Sequence, residues 1–259
     1  MSLEEKALLL KQDFDDVHEA GKKENQEAFA NSFHSNGTRG QYTYAYSYSG
    51  WKDDTFEQSL FGGLVIKPTA CNQMFFGSWV ENVAEIMERH NVTFDFSSNS
   101  LAQAYAVFAN SKVKHLPILV MPTASTAYGW FEGCKTLHTI DGMVCNEKTL
   151  FQTSSGANKT FLNCTQLTHC IFSGVIANDI NVQWCPFDDD SLISIVEALR
   201  NLYEDINLDT GEIPDRTLIL HPDCWVRLKS MIYPDKAAIE AGLSYTYYDL
   251  ILRKGWKTA

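Results

Sequence analysis

The pattern of apolar and polar residues changes along the chain, and each pattern predicts a different kind of element. Residues 2–34 carry apolar side chains at helical spacing, and Ser2 with Glu5 forms a capping box at the first turn. Within residues 3–20 the apolar stripe has the alternating four- and three-residue steps of a coiled-coil seam. The stripe consists of Leu3, Ala7, Leu10, Phe14 and Val17. Residues 41–48 instead alternate tyrosine with small or polar residues, which predicts a strand with one tyrosine face: Tyr42, Tyr44, Tyr46 and Tyr48.

From residue 64 to about 180, short β-branched runs recur, and phenylalanines follow them in similar local settings. These phenylalanines are Phe75, Phe108, Phe131 and Phe161. A Gly or Asn comes two residues after each Phe, Ser or Cys comes three after, and an apolar residue follows. The phenylalanines are 33, 23 and 30 residues apart, which is the spacing expected of repeats with loop insertions. One strand-and-turn unit cannot bury its own apolar face, so units of this kind stack and share a core.

After residue 186 the repeats stop and helical spacing returns. The acidic run 188–190 suits a helix N-terminus, and apolar spacing predicts a helix over about 190–204. A strand over 217–221 and helices over about 222–231 and 235–254 follow. The predicted fold is therefore an α/β solenoid of irregular leucine-rich repeats with short parallel strands, an N-terminal helical segment and a C-terminal α/β cap. Its divisions are a helical stalk (1–36), a Tyr-rich strand and N-terminal cap (37–63), the solenoid (64–185) and the C-terminal cap (186–259).

Two of the predicted units resemble the BspA-type leucine-rich repeats of bacteria, which carry a Phe, a small residue, a Cys and a Leu-x-x-Ile step. The best match runs from Phe131 through Cys134 and Leu137 to Ile140, and the next begins at Phe161. The order of a Leu-rich helix, a Tyr-rich strand, Gly50-Trp51 and a few repeats is also similar to proteins encoded by phages and prophages of gut bacteria. That resemblance implies a virion or tail-associated role with a target-binding surface, and it brings no catalytic residues.

Charge and cysteine content narrow the classes of function. The net charge is −11 and no cluster of Lys or Arg exceeds two adjacent residues, which argues against nucleic acid and anionic membranes as partners. We expect no membrane insertion, because no run approaches the ~18 apolar residues of a membrane span. The N-terminus lacks the basic and apolar regions of a signal peptide, so we expect synthesis in a bacterial cytoplasm. The seven cysteines are an odd number and form no C-x-x-C pair, which agrees with a reducing compartment.

Each candidate for chemistry has a structural alternative that we favour. Cys134 and Cys164 occupy the same place in adjacent units. A metal or redox pair with His138, His169 and Cys170 as further partners is weighed against a ladder of small buried side chains. His115 and His138 each follow their Phe by seven residues and are interpreted as surface residues. The tyrosine face could stack on sugars, although a strand that caps the first coil explains it as well. Nucleotide-binding, zinc-protease and serine-hydrolase motifs are absent.

The sequence therefore predicts a binding or structural module that is not an enzyme and needs no metal or cofactor. It would be a virion or tail-associated protein that displays its repeats for attachment to protein partners or a host-surface ligand. The tyrosine face (Tyr42, Tyr44, Tyr46 and Tyr48) is the candidate binding site. The alternative is a bacterial surface or host-interaction protein with the same repeats. An isolated helix of about 20 residues is marginal in water, so we expect its stripe at residues 3–20 to join a homo-oligomer, with a trimer as the first expectation.

Overall fold

The structure, a computed structural model, describes residues 64–66, 71–77, 81, 83–89, 92–94, 96–97, 104–123, 126–152 and 158–259. The strands are β1 (Leu64–Ile66), β2 (Val92–Phe94), β3 (His115–Val120), β4 (Thr139–Cys145), β5 (His169–Gly174), β6 (Ile180–Val182), β7 (Thr217–Leu220) and β8 (Lys257–Thr258). The α-helices are α1 (Val83–Arg89), α2 (Asp189–Ala198), α3 (Pro222–Leu228), α4 (Lys236–Glu240) and α5 (Tyr247–Arg253), and a 3-10 helix spans Leu202–Asp205. The protein belongs to the α/β class, with short strands and few helices.

The strands form separate small sheets, all of them parallel. β1 pairs with β2, β3–β4–β5 form one three-stranded sheet, and β6–β7–β8 form another. In the first three-stranded sheet, His115, Thr139 and His169 begin their strands and lie opposite one another in register. Parallel neighbours need a crossover connection, and here the crossovers run through the segments that carry the phenylalanines. The expectation of short parallel strands is confirmed for these pairs.

A stack of aromatic rings forms the core behind the sheet. Phe75, Phe108, Phe131 and Phe161 are each at most 2% exposed. Their ring centroids follow one another at 5.1, 5.9 and 5.4 Å. The predicted superposition of these four side chains in the core is confirmed. We call this stack the phenylalanine ladder.

The turn after each ladder phenylalanine uses a backbone conformation that Gly and Asn tolerate. The residues two positions after each Phe have φ between 55° and 75°. They are Gly77, Asn110, Gly133 and Asn163. A Cβ at Gly133 would also collide with the Asn110 side chain of the preceding turn. The small residues seen in the sequence therefore let the chain turn tightly and let successive turns approach each other.

Successive turns are joined by a repeated backbone hydrogen bond. The amide of Phe75 donates to the carbonyl of Val107 at 2.7 Å, and the amide of Phe108 donates to Trp130 at 2.8 Å. The amide of Phe131 donates to the carbonyl of Thr160 at 2.9 Å. In each case the acceptor directly precedes the next ladder phenylalanine, so one bond holds each ring at a constant offset from the next.

The C-terminal segment differs from the sequence prediction in two helices. The helix predicted over about 190–204 ends at Ala198, because Leu199 is extended and the amide of Arg200 pairs with the carbonyl of Ile176. The helix predicted over about 235–254 is two helices, α4 and α5. Gly242, at φ 68°, follows the end of α4, and Thr246 begins α5 with a capping box. Both corrections shorten a helix where the backbone leaves helical geometry despite continued apolar spacing.

Several sequence predictions lie outside the described residues. They are the N-terminal helices, the oligomer contact at residues 3–20 and the strand with Tyr42, Tyr44, Tyr46 and Tyr48. The division into four regions remains a prediction, although hydrogen bonds between β6 and β7 join the regions on either side of residue 185. None of the helices in the described ranges is long and apolar enough to cross a membrane.

Candidate binding face

The β3–β4–β5 sheet turns one face toward the phenylalanine ladder and the other toward solvent. The inward side chains are at most 3% exposed: Leu116, Leu119, Ile140, Met143, Cys170 and Phe172. On the other face, Ile118 is 59% exposed, Asp141 and Ser173 are exposed, and Ile171 is half-buried. We call this solvent-facing surface the outer face. It combines apolar and acidic side chains on a backbone whose position the core fixes.

A glycine in β4 lies beneath the exposed isoleucine of the outer face. Gly142 lies opposite Ile118 in the sheet register. A Cβ at Gly142 would lie 3.4 Å from Ile118 Cγ1 and 3.5 Å from the carbonyl oxygen of Ile171. Since glycine adds no side chain there, the Ile118 side chain packs over this position, and Gly142 itself is buried.

His115, at the start of β3, contacts two carboxylates from two different elements. Its Nδ1 lies 2.8 Å from Glu85 Oε1 on α1, and its Nε2 lies 2.7 Å from Asp141 Oδ1 on β4. Although partial burial acts to lower the pKa of His115, the hydrogen bonds to Asp141 and Glu85 and the charges of these residues outweigh that effect and raise it. The imidazole side chain thus links a helix and a neighbouring strand to β3.

His169, at the start of β5, makes a comparable contact at the other edge of the sheet. Its Nδ1 lies 2.6 Å from Asp188 Oδ2, and Asp188 also accepts a 2.9 Å hydrogen bond from the amide of Ser191. Burial acts to raise the pKa of Asp188, but the hydrogen bonds from Ser191 and His169 lower it by more. Asp188 is the N-cap of α2, so the interpretation of the acidic run 188–190 as a helix N-terminus is confirmed.

Helix α2 covers the edge of β5 where a further strand would pair. The hydroxyl of Ser191 accepts a 2.8 Å hydrogen bond from the amide of Cys170, and that of Ser194 accepts a 3.0 Å hydrogen bond from the amide of Phe172. Two amides of the edge strand are therefore satisfied by helix side chains rather than by another strand or by water.

The cysteines repeat a structural contact from one unit to the next. Cys134 Sγ donates to the carbonyl of Phe108, and Cys164 Sγ donates to the carbonyl of Phe131, both at 3.0 Å. All seven thiols are buried and none forms a disulfide. Burial raises the pKa of Cys134 to about 12, which disfavours the thiolate that metal binding or redox chemistry needs. This geometry supports the ladder of small buried side chains.

The described ranges contain no cluster of three or more His, Cys, Asp or Glu side chains that could hold a metal ion. His138, weighed in the sequence as a possible partner of the cysteines, is exposed, whereas Cys134 and Cys164 are fully buried. The structure therefore does not bring this histidine together with the two thiols.

A cleft of about 210 Å³ lies where the C-terminal segment meets the loop after β4. Its central group is Arg200, which forms an ion pair with Glu147 and a bidentate ion pair with Asp205. The Nε–Oδ2 and Nη2–Oδ1 distances of the bidentate pair are 2.5 and 2.6 Å. Arg216, on the other wall, donates to the carbonyl of Ala177 at 2.9 Å. Because Arg200 is paired with two carboxylates, we interpret the cleft as a brace between chain segments.

Of the histidines considered in the sequence, His115 is the one whose structural contacts were not predicted. It was interpreted as a surface residue, yet it contacts Glu85 and Asp141, which are 30 and 26 residues away along the chain. No local pattern in the sequence pointed to this contact, because it depends on the pairing of β3 with β4 and on the packing of α1 against β3. Comparison of the chain with family models, with curated proteins and with solved structures finds no match.

Proposed function

We propose that this chain is a non-enzymatic binding or structural module, built as a short solenoid of irregular leucine-rich-type repeats and carried on a phage virion or tail. The observation that carries the proposal is the phenylalanine ladder beneath a parallel sheet whose outer face is open to solvent. Stacked units of this kind keep a constant core while their outer side chains are free to contact a ligand. The resemblance of the repeat segments to BspA-type repeats supports the same interpretation.

The composition of the outer face suits binding to another molecule. Ile118 and Ile171 provide apolar area, and Asp141 in β4 adds an exposed carboxylate at its margin. An apolar centre with a polar rim is typical of recognition surfaces.

Attachment can be tested with purified, fluorescently labelled protein and intact cells of the bacterium that carries the gene. We expect saturable binding that is weakened at least tenfold by Ile118→Asp, because the change places a charge in the apolar centre. Val226→Asp is the matched control, since Val226 is 70% exposed and lies on α3, outside the sheet. Absence of binding by the wild-type protein, or equal weakening by both variants, would contradict attachment through the outer face.

The virion location has a separate test. Particles released after prophage induction are purified by density gradient and analysed by mass spectrometry. The proposal expects peptides of this chain in the particle fraction at a constant ratio to a capsid protein. Recovery of the chain in the cell-envelope fraction instead would favour the alternative, a bacterial surface or host-interaction protein.

The proposed assembly is a homo-oligomer, with a trimer as the first expectation, joined through residues 3–20. The support is the apolar stripe with a charged opposite side in the sequence of that segment. In sedimentation velocity we expect a wild-type trimer at micromolar concentration and a folded monomer for Leu10→Lys. A monomeric wild-type protein would contradict the proposal.

A further inference from the structure

The described side chains that contact the His115 ring are acidic. From α1, Glu85 contacts the ring directly and Glu88 is exposed one turn further along. From β4, Asp141 contacts the other ring nitrogen. The neighbouring Lys114 is paired with Glu81 at 2.6 Å. Among the described residues that face His115, its own protonated ring is therefore the charge that balances Glu85 and Asp141.

The two contacts of His115 cannot both form with a neutral ring. A carboxylate accepts hydrogen bonds and donates none, so each ring nitrogen needs a hydrogen to bond to Asp141 or Glu85. Neutral imidazole carries a single N–H, whereas imidazolium carries two. The two contacts, at 2.7 and 2.8 Å, can therefore both be hydrogen bonds to carboxylates only when the ring is protonated. Loss of the proton would leave one carboxylate facing a nitrogen lone pair.

We propose that His115 is a pH-sensitive clamp that fastens helix α1 to the β3–β4–β5 sheet and opens when its ring loses a proton. In the closed state, one imidazolium joins α1, β3 and β4. In the open state, two negative charges remain beside a neutral ring, and the contact with one of the two elements is lost. Because Asp141 belongs to the outer face, opening also makes that face more negative, a consequence for binding that rests on the proposed function.

The direction of the pH effect follows from the raised pKa of His115 in the folded protein. A group with a folded pKa above its unfolded value binds its proton more tightly in the folded state. The stabilisation by the clamp is therefore fully present at pH values below the ordinary pKa of histidine. It is lost as the pH rises through the pKa of the folded protein.

The first test uses the wild-type chain and needs no ligand. Proton NMR follows the ring signals of His115 between pH 5 and 9, with the unfolded chain in urea as reference. We expect a titration midpoint above that of the unfolded chain, and a lower midpoint in Glu85→Gln and in Asp141→Asn. A wild-type midpoint at or below the unfolded value would overturn the proposal.

The second test measures whether the proton state of His115 holds α1. Amide hydrogen exchange of the α1 peptide is compared between His115→Gln and wild type at pH 6 and at pH 9, so that the intrinsic exchange rate cancels in each ratio. We expect the variant to exchange about fivefold faster at pH 6, the effect of one ion-pair contact of about 1 kcal/mol, and equally fast at pH 9.

His138→Gln is the matched control, because His138 is an exposed histidine that precedes β4 directly. Its exchange ratio in the α1 peptide should be one at both pH values. A His115→Gln ratio that is the same at pH 6 and pH 9 would overturn the clamp. Neither test depends on cell binding, so failure of the proposed attachment function is distinguishable from failure of the clamp.

Discussion

Replacing Phe131 by alanine should destabilise the protein more than most single substitutions. The side chain is fully buried, and its ring stacks on Phe108 at 5.9 Å and on Phe161 at 5.4 Å. Truncating a buried phenylalanine removes about 3–5 kcal/mol, and each aromatic pair adds about 0.5–1.5 kcal/mol beyond buried area. Since Phe131 touches a ring on both sides, we expect a loss of about 4–5 kcal/mol from the free energy of unfolding. A typical domain has about 5–15 kcal/mol in total.

The loss can be measured by urea denaturation followed by tryptophan fluorescence and circular dichroism. At about 2–4 °C per kcal/mol for a chain of this size, the melting temperature should fall by about 8–20 °C. Phe131→Leu keeps most of the buried volume without the ring contacts, so it should lose about 1–3 kcal/mol. Ile118→Ala, on the solvent side of the same sheet, should change stability by less than about 0.5 kcal/mol. A loss below about 1 kcal/mol for Phe131→Ala would refute the argument that the ladder stabilises the fold.

Further predictions concern α2, the lysine that caps it, and the thiols. Ser191→Ala leaves the amide of Cys170 without its acceptor, so the free energy of unfolding should fall by about 1–3 kcal/mol and that amide should exchange faster. Ser173→Ala, on the exposed end of β5, is the control and should change neither quantity. Lys254 donates to three carbonyls at the C-terminal end of α2 at 2.7–2.9 Å. Lys254→Met should therefore lower the free energy of unfolding by about 1–3 kcal/mol. An effect no larger than that of Lys257→Met, at an exposed lysine, would contradict this role. Burial holds the thiols protonated, so a thiol reagent at pH 8 should react slowly with the folded chain. After unfolding, the reagent should detect seven free thiols. Fewer than seven, or stoichiometric zinc, would refute the structural interpretation of the cysteines.

The ladder and its turns were predictable because their signals are local and recur. Each phenylalanine is followed at a fixed offset by a Gly or Asn, and these residues tolerate the left-handed backbone found at Asn110 and Gly133. A residue at a fixed offset in several units occupies equivalent places when the units stack. Repetition therefore converted a weak local preference into a specific prediction about the core.

Other features could not be predicted because their causes are not local. Strand β4 contains Asp141 and Gly142, which are poor strand formers, and it is extended because β3 and β5 pair with it on both sides. The two contacts of His115 exist because the sheet register and α1 bring distant carboxylates to it. The division of the helix predicted over about 235–254 has a different reason, because its signals are local: apolar spacing that continues through Gly242 outweighed the glycine and the capping box at Thr246.

The covering of β5 by α2 limits how copies of this protein can associate. An open sheet edge presents unpaired amides and carbonyls that can recruit a strand from another molecule, which leads to fibrous aggregates. Here the hydroxyls of Ser191 and Ser194 occupy the amides of Cys170 and Phe172 along that edge. The sheet therefore has no template for edge-to-edge polymerisation on this side. Copies held at high local density can then display their sheets side by side without merging into a common one.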